Sequence, residues 1–202
     1  MQNAVGIIEL KSIAKGVEAC DSALKSAGIS LVSAHPSCPG KYEIILTGAI
    51  ADVDAAVSHV KGRFESTIVD TSIMGRIDPQ VVTALFGTEA TKKSGSLGVV
   101  ETFSAASAIK AADIAVKTAN VDIYDLRVSR GMGGKGLVMI TGDVGDVTAA
   151  VEAGAEYAAN LGLLMNKSVI AAPIKSFGNN FDLRGNYYGK HKICYRKKRA
   201  YR

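Results

Sequence analysis

A cysteine between two prolines is the residue whose type and position most invite chemistry. Cys38 lies in HPSCPGK, residues 35–41, and is flanked by Pro36 and Pro39. Each proline lacks the backbone N–H that a strand ladder needs, so this stretch is predicted to be a stiff, exposed connection outside the core. A thiolate held there could act as a nucleophile, be oxidised or bind a metal.

The residues around Cys38 leave several kinds of chemistry open. His35 could lower the pKa of the thiol, which would suit a nucleophile or a zinc ligand. A hydrolytic triad also needs an orienting acid and an oxyanion hole, and nothing in the sequence identifies either. An iron–sulfur cluster takes about four thiolates, so one cysteine per chain is a poor cluster site on its own. An ordinary or oxidisable exposed thiol is the remaining reading.

The other cysteines do not form a disulfide framework with Cys38. Three cysteines are an odd number, and their spacings are unrelated. Cys20 is expected to lie on the apolar face of a helix and to be part of the core. Cys194 lies in the C-terminal tail and has no visible partner. The chain has no uninterrupted apolar stretch of about 18 residues and no signal-peptide pattern, so we expect it to stay in the cytosol, where thiols remain reduced.

A glycine-rich stretch, SRGMGGKG at residues 129–136, invites comparison with a phosphate-binding loop. It lacks the phosphate-loop spacing, and the pattern that follows it is that of a strand and not a helix. Gly133 and Gly134 are better explained by a tight hairpin or by the lining of a pore. Met132 cannot supply a thiolate, and its side chain is expected to fill space by packing. Arg130 could attract anions toward an opening.

The chain contains the same pattern twice, and this duplication predicts its architecture. Residues 5–32 match 97–124 at an offset of 92, and residues 40–57 match 134–151 at an offset of 94. The offset changes within the loop that carries Cys38. The two copies therefore share a scaffold and differ in this loop.

Each copy is predicted to run strand, helix, strand, loop, strand, helix, strand. Ser12 is the predicted N-cap of the first helix. A short helix is predicted to close the first copy. The apolar face of the first helix is predicted from spacings of three and four, and it comprises Ile13, Val17, Cys20 and Leu24.

Two α+β domains and a basic tail follow from these patterns. The predicted boundaries are 1–87 for the first domain, 88–96 for a polar linker, 97–174 for the second domain and 175–202 for the tail. The tail has nine Lys and Arg residues and one acid, a net charge of +8, whereas the rest of the chain has a net charge of −3. We expect the tail to be a disordered arm or a non-native extension, with a docking peptide as the other reading. The absence of Trp and the few aromatic residues argue against nucleic-acid binding.

The motifs VGIIEL, DSALKSA and LTG, with their second-copy counterparts, resemble the bacterial microcompartment (BMC) shell domain. Two copies in one chain resemble the tandem-domain, trimer-forming members of that family, over roughly residues 4–174. The resemblance implies an α+β fold of two tandem BMC domains, ferredoxin-like and permuted. It also implies a pseudo-hexameric homotrimer, a flat tile in the shell that surrounds enzymes in the cytosol.

The loops SCPGK and GMGGK resemble those of the propanediol-utilisation T-type subfamily. In that subfamily three loop cysteines face the threefold axis and hold a [4Fe–4S] cluster at the pore. The resemblance implies Cys38 as the metal ligand and one cluster per homotrimer. The partners it implies are other shell proteins and a redox enzyme inside the compartment, with no membrane. It implies a pore lined by Ser37, Pro39, Gly40, Met132, Gly133 and Gly134.

The family also has a lysine in the pattern D-x-x-L/V-K-x-A that packs against a neighbouring tile. Lys25 and Lys117 occupy this position in the two copies. From periodicity alone, each would be a solvated helix lysine; with the family pattern, each is expected at the tile edge.

Three classes of function stay open at this point. The first is a shell tile whose cluster passes electrons across the shell or delivers a cluster to an enzyme inside. The second is a shell tile with a gated metabolite pore, in which Cys38 is incidental or redox-sensing. The third lies outside the family and is a trimeric α+β regulator that binds a ligand. No acid–base pair suited to turnover is visible, so we predict that the chain is not an enzyme.

Overall fold

A computed structural model describes residues 4–85, 95–128 and 132–174 of the chain. Both repeats lie in one compact unit that ends at Ala172. The elements are β1 (Ala4–Leu10), α1 (Ile13–Ser26), β2 (Ser30–Ser37), β3 (Lys41–Gly48), α2 (Ile50–Phe64), a 3-10 turn (Glu65–Thr67), β4 (Ile68–Met74), α3 (Pro79–Leu85), β5 (Ser96–Thr102), α4 (Ala105–Thr118), β6 (Val121–Val128), β7 (Gly136–Gly142), α5 (Val144–Asn160) and β8 (Leu164–Ile170).

The two repeats form two antiparallel sheets with the same strand order. The first sheet runs β2-β3-β1-β4 and the second runs β6-β7-β5-β8. The alternation of strands and helices is the predicted one in both copies, and the α+β class is confirmed. Ser12 caps α1 as predicted, since its hydroxyl accepts a hydrogen bond from the backbone N–H of Lys15 at 3.3 Å.

One proline of the cysteine stretch lies inside a strand, contrary to the prediction. Pro36 belongs to β2 and is paired with Tyr42 of β3. Because β2 is the edge strand of the first sheet, its outer side has no neighbouring strand, so a missing N–H there costs no ladder hydrogen bond. The exposed connection is therefore shorter than predicted and begins after Ser37.

The buried face of α1 differs from the predicted one. Cys20 is buried as predicted, but Ile13, Val17 and Leu24 are exposed. The side that packs on the sheet consists of small residues, because α1 lies very close to β3 and a Cβ at Gly16 would overlap the ring of Tyr42. The large apolar side chains of α1 are thus left uncovered within one chain.

The first sheet is covered on both faces. Helices α1 and α2 pack on one face, where Gly16 of α1 contacts Tyr42 and Val53 of α2 contacts Gly6. The opposite face carries Ile7 and Ile45, which belong to one continuous hydrophobic core with the second domain. The two domains are therefore joined by a shared core as well as by the chain.

Some sequence predictions fall on parts of the chain that the structure does not describe. The tail at 175–202, Arg130 and the linker up to residue 94 lie outside the described residues, and Ser96 begins β5. Among the described residues, none of the helices combines the length and apolar character that crossing a membrane requires.

Candidate functional site

Cys38 lies in the tight turn that joins β2 to β3, and its side chain is exposed as predicted. The turn closes with a hydrogen bond from the N–H of Gly40 to the carbonyl oxygen of Ser37 at 3.0 Å. Gly40 has a φ of 87°, a left-handed backbone that favours glycine. The Cys38–Pro39 peptide bond is cis. The thiol is therefore presented at the tip of a short, hydrogen-bonded hairpin.

The glycine stretch of the second copy forms the equivalent turn between β6 and β7. Gly133 and Gly134 have φ values of 65° and 84°. The N–H of Lys135 donates to the carbonyl of Met132 at 3.3 Å. Strand β7 follows directly, so the described part of this loop has no helix N-terminus to receive a phosphate. The prediction of a tight glycine hairpin is confirmed for residues 132–134.

The two turns touch each other, which the sequence did not indicate. Gly134 is buried, and a Cβ in its place would overlap the carbonyl oxygen of Cys38 and lie 2.8 Å from the ring of Pro39. Only a glycine permits this approach, which explains the residue type. Of the predicted site residues, the metal ligand Cys38 and the pore residues Pro39 and Gly134 are therefore brought together in one chain.

Lys41 is a residue of the candidate site that the sequence reasoning missed. Its ammonium group donates to the Glu9 carboxylate at 2.8 Å and to the carbonyl oxygens of Gly134 at 3.2 Å and Phe103 at 3.1 Å. It therefore ties the cysteine hairpin to the glycine hairpin of the second domain. The signal was present, since Lys41 and Glu9 align with Lys135 and Glu101 in the repeat.

Glu9 extends this contact to the start of a helix. Its carboxylate is fully buried and accepts a hydrogen bond from the backbone N–H of Ala105, the first residue of α4, at 3.0 Å. Burial raises the pKa of Glu9 above its ordinary value, whereas the Lys41 ammonium and the Ala105 N–H act to lower it and Glu43 adds a smaller upward effect. The buried pair Glu9–Lys41 is thus the polar centre of the contact between the domains.

A second polar contact lies beside it. Asp70 of β4 accepts hydrogen bonds from the hydroxyls of Ser104 and Ser107, the latter at 2.7 Å. Ser104 is also the N-cap of α4 and accepts from the N–H of Ser107 at 3.0 Å. The first domain therefore holds the N-terminus of α4 through two carboxylates, Glu9 and Asp70, a favourable place for negative charge.

The equivalent ion pair in the second domain, between Lys135 and Glu101, is formed but is partly exposed to solvent. Lys135 donates to Glu101 at 3.0 Å, and the two side chains are 35% and 32% exposed. The corresponding values for Lys41 and Glu9 are 15% and 0%. The difference arises because, in the described part of the chain, the first domain does not pack over this pair as the second domain packs over Lys41 and Glu9.

The two predicted edge lysines have different surroundings. Lys25 forms an ion pair with Asp21 on its own helix at 2.6 Å, and both side chains are mostly exposed. Lys117 forms an ion pair with buried Asp113 at 2.7 Å and also donates to the carbonyl of Arg76. Lys25 is therefore the freer of the two to meet another molecule.

No metal site is formed within one chain in the part of it that the structure describes. There, no three His, Cys, Asp or Glu side chains are grouped so as to hold a metal ion. His35 lies in β2 opposite Glu43 of β3. Cys38 can therefore bind a metal ion only together with ligands that the described part of its own chain does not supply.

Comparison with known proteins identifies both repeats. The BMC domain family matches residues 4–77 and 96–173. The chain is 40% identical over 176 residues to the bacterial microcompartment shell protein PduT of Citrobacter freundii, covering 87% of this chain and 96% of that protein. The crystal structure of a microcompartment protein from Desulfitobacterium hafniense is 39% identical, with a TM-score of 0.75, and the match covers 89% of this chain and 99% of that one.

More distant relatives agree with this result. The carboxysome assembly protein CcmO of Synechococcus elongatus is 28% identical over 185 residues, which cover 85% of this chain and 66% of that protein. A fused permuted hexameric shell protein from the RMM microcompartment shares the fold, with a TM-score of 0.60 over 79% of this chain and 82% of that one, at 24% identity. These relatives are named as shell and assembly proteins, in agreement with the prediction that the chain is not an enzyme. The chain therefore belongs to the bacterial microcompartment shell protein family and carries two BMC domains in tandem.

Proposed function

We propose that three copies of this chain form a shell tile in which the three Cys38 thiolates hold one [4Fe–4S] cluster at the central pore. The observation that carries this proposal is the contact between the Cys38 hairpin and the Gly134 hairpin. Hairpins of consecutive domains meet side by side, so a ring of such domains would surround its axis with alternating cysteine and glycine hairpins. Three chains would supply three thiols to one place.

The residues at the hairpin fit such a group. Cys38 is exposed at the tip, and its neighbours Pro39 and Gly40 bring no bulky or charged side chain to the axis. Three thiolates can ligate three of the four irons, and the fourth then takes water or another ligand. When bound, the cluster would supply one-electron transfer, and the role of this chain would be to hold the thiolates and to set the polarity around them.

The same tile would assemble with other shell proteins. Shell proteins of this family assemble with one another. Lys25 is an exposed cation, and among the described residues it pairs with Asp21 on its own helix. Its position supports a contact between neighbouring tiles. Electrons would then pass between the cytosol and a redox enzyme inside the compartment through the pore of a tile embedded in the shell.

The test is an anaerobic purification followed by iron and sulfide assays and EPR after reduction with dithionite. We expect about four irons per trimer for the wild-type chain and none for Cys38→Ala. Cys194→Ser is the matched control, since it removes a thiol elsewhere and should keep the iron. Light scattering of Cys38→Ala should still give the wild-type mass, which separates loss of the cluster from loss of the tile.

The contrary result is a wild-type chain that binds no iron even after reconstitution with iron and sulfide under anaerobic conditions. The electron-transfer proposal would then fall. The Cys38 hairpin would become the rim of a metabolite pore, with the thiol incidental or redox-sensing. Iron that persists in Cys38→Ala would equally contradict the assignment of the ligand.

A further inference from the structure

The buried carboxylate of Glu9 is connected to the Cys38 hairpin through two contacts, although it does not touch Cys38 itself. We propose that Glu9 is a proton acceptor coupled to the charge at this hairpin, so that Glu9 binds a proton when the cluster proposed there gains an electron. This inference rests on the proposed function and names a residue that regulates the same site.

The connection runs through Lys41 and Gly134. The Glu9 carboxylate accepts a hydrogen bond from the Lys41 ammonium at 2.8 Å, and the same ammonium donates to the carbonyl of Gly134 at 3.2 Å. Gly134 in turn packs against the carbonyl group of Cys38, where no Cβ would fit. The side chains of Glu9 and Lys41 are 0% and 15% exposed. Solvent and salt therefore screen a change of charge at the hairpin only weakly along this path.

Glu9 stands between two other carboxylates of the first sheet. It is paired with Glu43 of β3 on one side and with Asp70 of β4 on the other. Residues directly opposite each other on neighbouring strands lie on the same face of a sheet. His35 of β2 continues this row, since it is paired with Glu43. A buried carboxylate beside like charges binds a proton more readily than an isolated one, and Glu43 acts in this direction on Glu9.

The second domain keeps the ion pair but not the acidic row. Glu101, the equivalent of Glu9, is paired with Leu137 of β7 and with Asn166 of β8. Neither neighbour carries a charge. Among the described residues, the acidic row therefore occurs only in the domain that carries Cys38. This favours a role at the cysteine hairpin over a role in the scaffold that both domains share.

The second domain faces Glu9 with the start of α4. The backbone N–H of Ala105 donates to the other oxygen of the Glu9 carboxylate at 3.0 Å. Helices α1 and α2 pack on the opposite face of the first sheet. The titratable side chains of α4 pair with one another further along the helix, and they are Lys110, Asp113 and Lys117. The charged side chains around Glu9 in the described chain are therefore Lys41, Glu43 and Asp70.

The carboxylate of Glu9 has room for a proton in this setting. Each of its oxygens accepts one hydrogen bond, from Lys41 or from Ala105, and so keeps a lone pair for a proton. In the proposed step, one Glu9 of the tile takes one proton from solvent for one electron that the cluster receives from a one-electron donor, such as a redox protein or dithionite. An O–H bond forms on Glu9, and the two added charges cancel. Burial already raises the pKa of Glu9, and negative charge at the hairpin would raise it further.

The first test is a redox titration of the anaerobically purified tile, monitored by EPR, from mildly acidic to mildly alkaline pH. We expect the midpoint potential of the wild type to fall as the pH rises through the pKa of Glu9. Glu9→Gln should keep one potential throughout, equal to the value that the wild type approaches at low pH, because glutamine is as neutral as the protonated carboxyl. Glu101→Gln is the matched control in the second domain and should keep the wild-type slope.

Two further measurements leave Glu9 in place. Electrochemical reduction of the wild-type tile in weak buffer should take up protons from solvent. In cluster-free chains, Cys38→Asp adds a fixed negative charge at the hairpin, and Cys38→Asn is its neutral control of similar size. Infrared titration of carbon-13-labelled glutamate carboxyls should show one glutamate whose proton-binding constant is higher in Cys38→Asp than in Cys38→Asn, by about twofold or more.

The outcomes separate this coupling from the proposed cluster. If the cluster is bound but its potential is independent of pH and its reduction takes up no proton, the coupling is wrong and the cluster stands. A pH slope that survives in Glu9→Gln, or one that is lost in Glu101→Gln, would overturn the assignment to Glu9. Equal titration curves for Cys38→Asp and Cys38→Asn would overturn the path through Lys41. If the wild-type chain binds no iron, the proposed function falls, and the comparison of these two cluster-free chains still decides the coupling.

Discussion

At the scale of single residues, the buried pair Glu9–Lys41 connects the site to the fold. Its two side chains join the cysteine hairpin, the glycine hairpin and the start of α4. A buried ion pair is costly to desolvate, and its value lies in the specific partners that it requires. In this chain those partners are backbone groups of the other domain, so the pair fixes how the two domains meet.

The raised pKa of Glu9 predicts a pH dependence of stability. The folded chain binds this proton more tightly than the unfolded chain, whose carboxyl has the ordinary value of 4.5. The contribution of Glu9 to the free energy of unfolding is therefore complete below that value and is lost as the pH rises through the folded pKa. Urea unfolding at a series of pH values should show the difference between wild type and Glu9→Gln falling over this window.

Wild type and Glu9→Gln share all other titrating groups. The difference between their free energies of unfolding therefore reports on Glu9. A difference that rises with pH over the same window would mean that the Lys41 ammonium and the Ala105 N–H outweigh the burial. The folded pKa of Glu9 would then lie below its ordinary value, and burial would not be the dominant influence on this carboxyl.

At the scale of elements, a glycine repeated in both copies sets how closely a helix packs on a strand. A Cβ at Gly98 of β5 would lie 2.5 Å from Val151 and 2.8 Å from Val147 of α5. Gly6 of β1 has the same relation to α2. The close approach explains why the repeat retains glycine in the middle of a buried strand, where its conformational freedom is a disadvantage.

Gly98→Ala is expected to destabilise the chain by about 1–3 kcal/mol through overpacking. Gly62→Ala is the control, because nothing lies within 4 Å of a Cβ at this exposed position of α2. It should be neutral or stabilising by up to ~1 kcal/mol, since alanine favours a helix more than glycine does. Chemical denaturation of the two variants checks both; equal effects would show that the space around Gly98 is not limiting.

A feature of the fold could be predicted from the sequence where its cause lies within a few neighbouring residues. The order of strands and helices was predictable because hydrophobic periodicity acts over a few residues, and the duplication repeated each signal. The buried face of α1 was not predictable, because it depends on the close approach of Gly16 to Tyr42 in another element. The large residues Ile13 and Val17 dominate the periodicity, yet they are the uncovered ones.

In the candidate site too, the features that depend on neighbouring residues were predicted and those that depend on distant residues were missed. The exposure of Cys38 followed from its own neighbours, the two prolines and the glycine. Lys41 was missed because two of its three partners, Gly134 and Phe103, are backbone carbonyls of the second domain, which no local pattern reveals. The position of Pro36 within β2 was missed for a related reason, since only the strand order shows that β2 is an edge.

At the scale of the whole molecule, each domain has a face that the other domain does not cover among the described residues. The first domain leaves the start and the apolar side of α1 uncovered, and the second domain leaves β8 and the Glu101–Lys135 pair uncovered. The proposed ring of three copies would bring the cysteine hairpins to a common axis.

Native mass spectrometry of the anaerobically purified chain tests the cluster-bearing trimer most directly, because one spectrum reports both the number of copies and the bound cluster. We expect a trimer whose mass exceeds three chains by four irons and four sulfides, and a Cys38→Ala trimer without this excess. A monomer, a trimer with no added mass after anaerobic reconstitution, or an excess that persists in Cys38→Ala would contradict it.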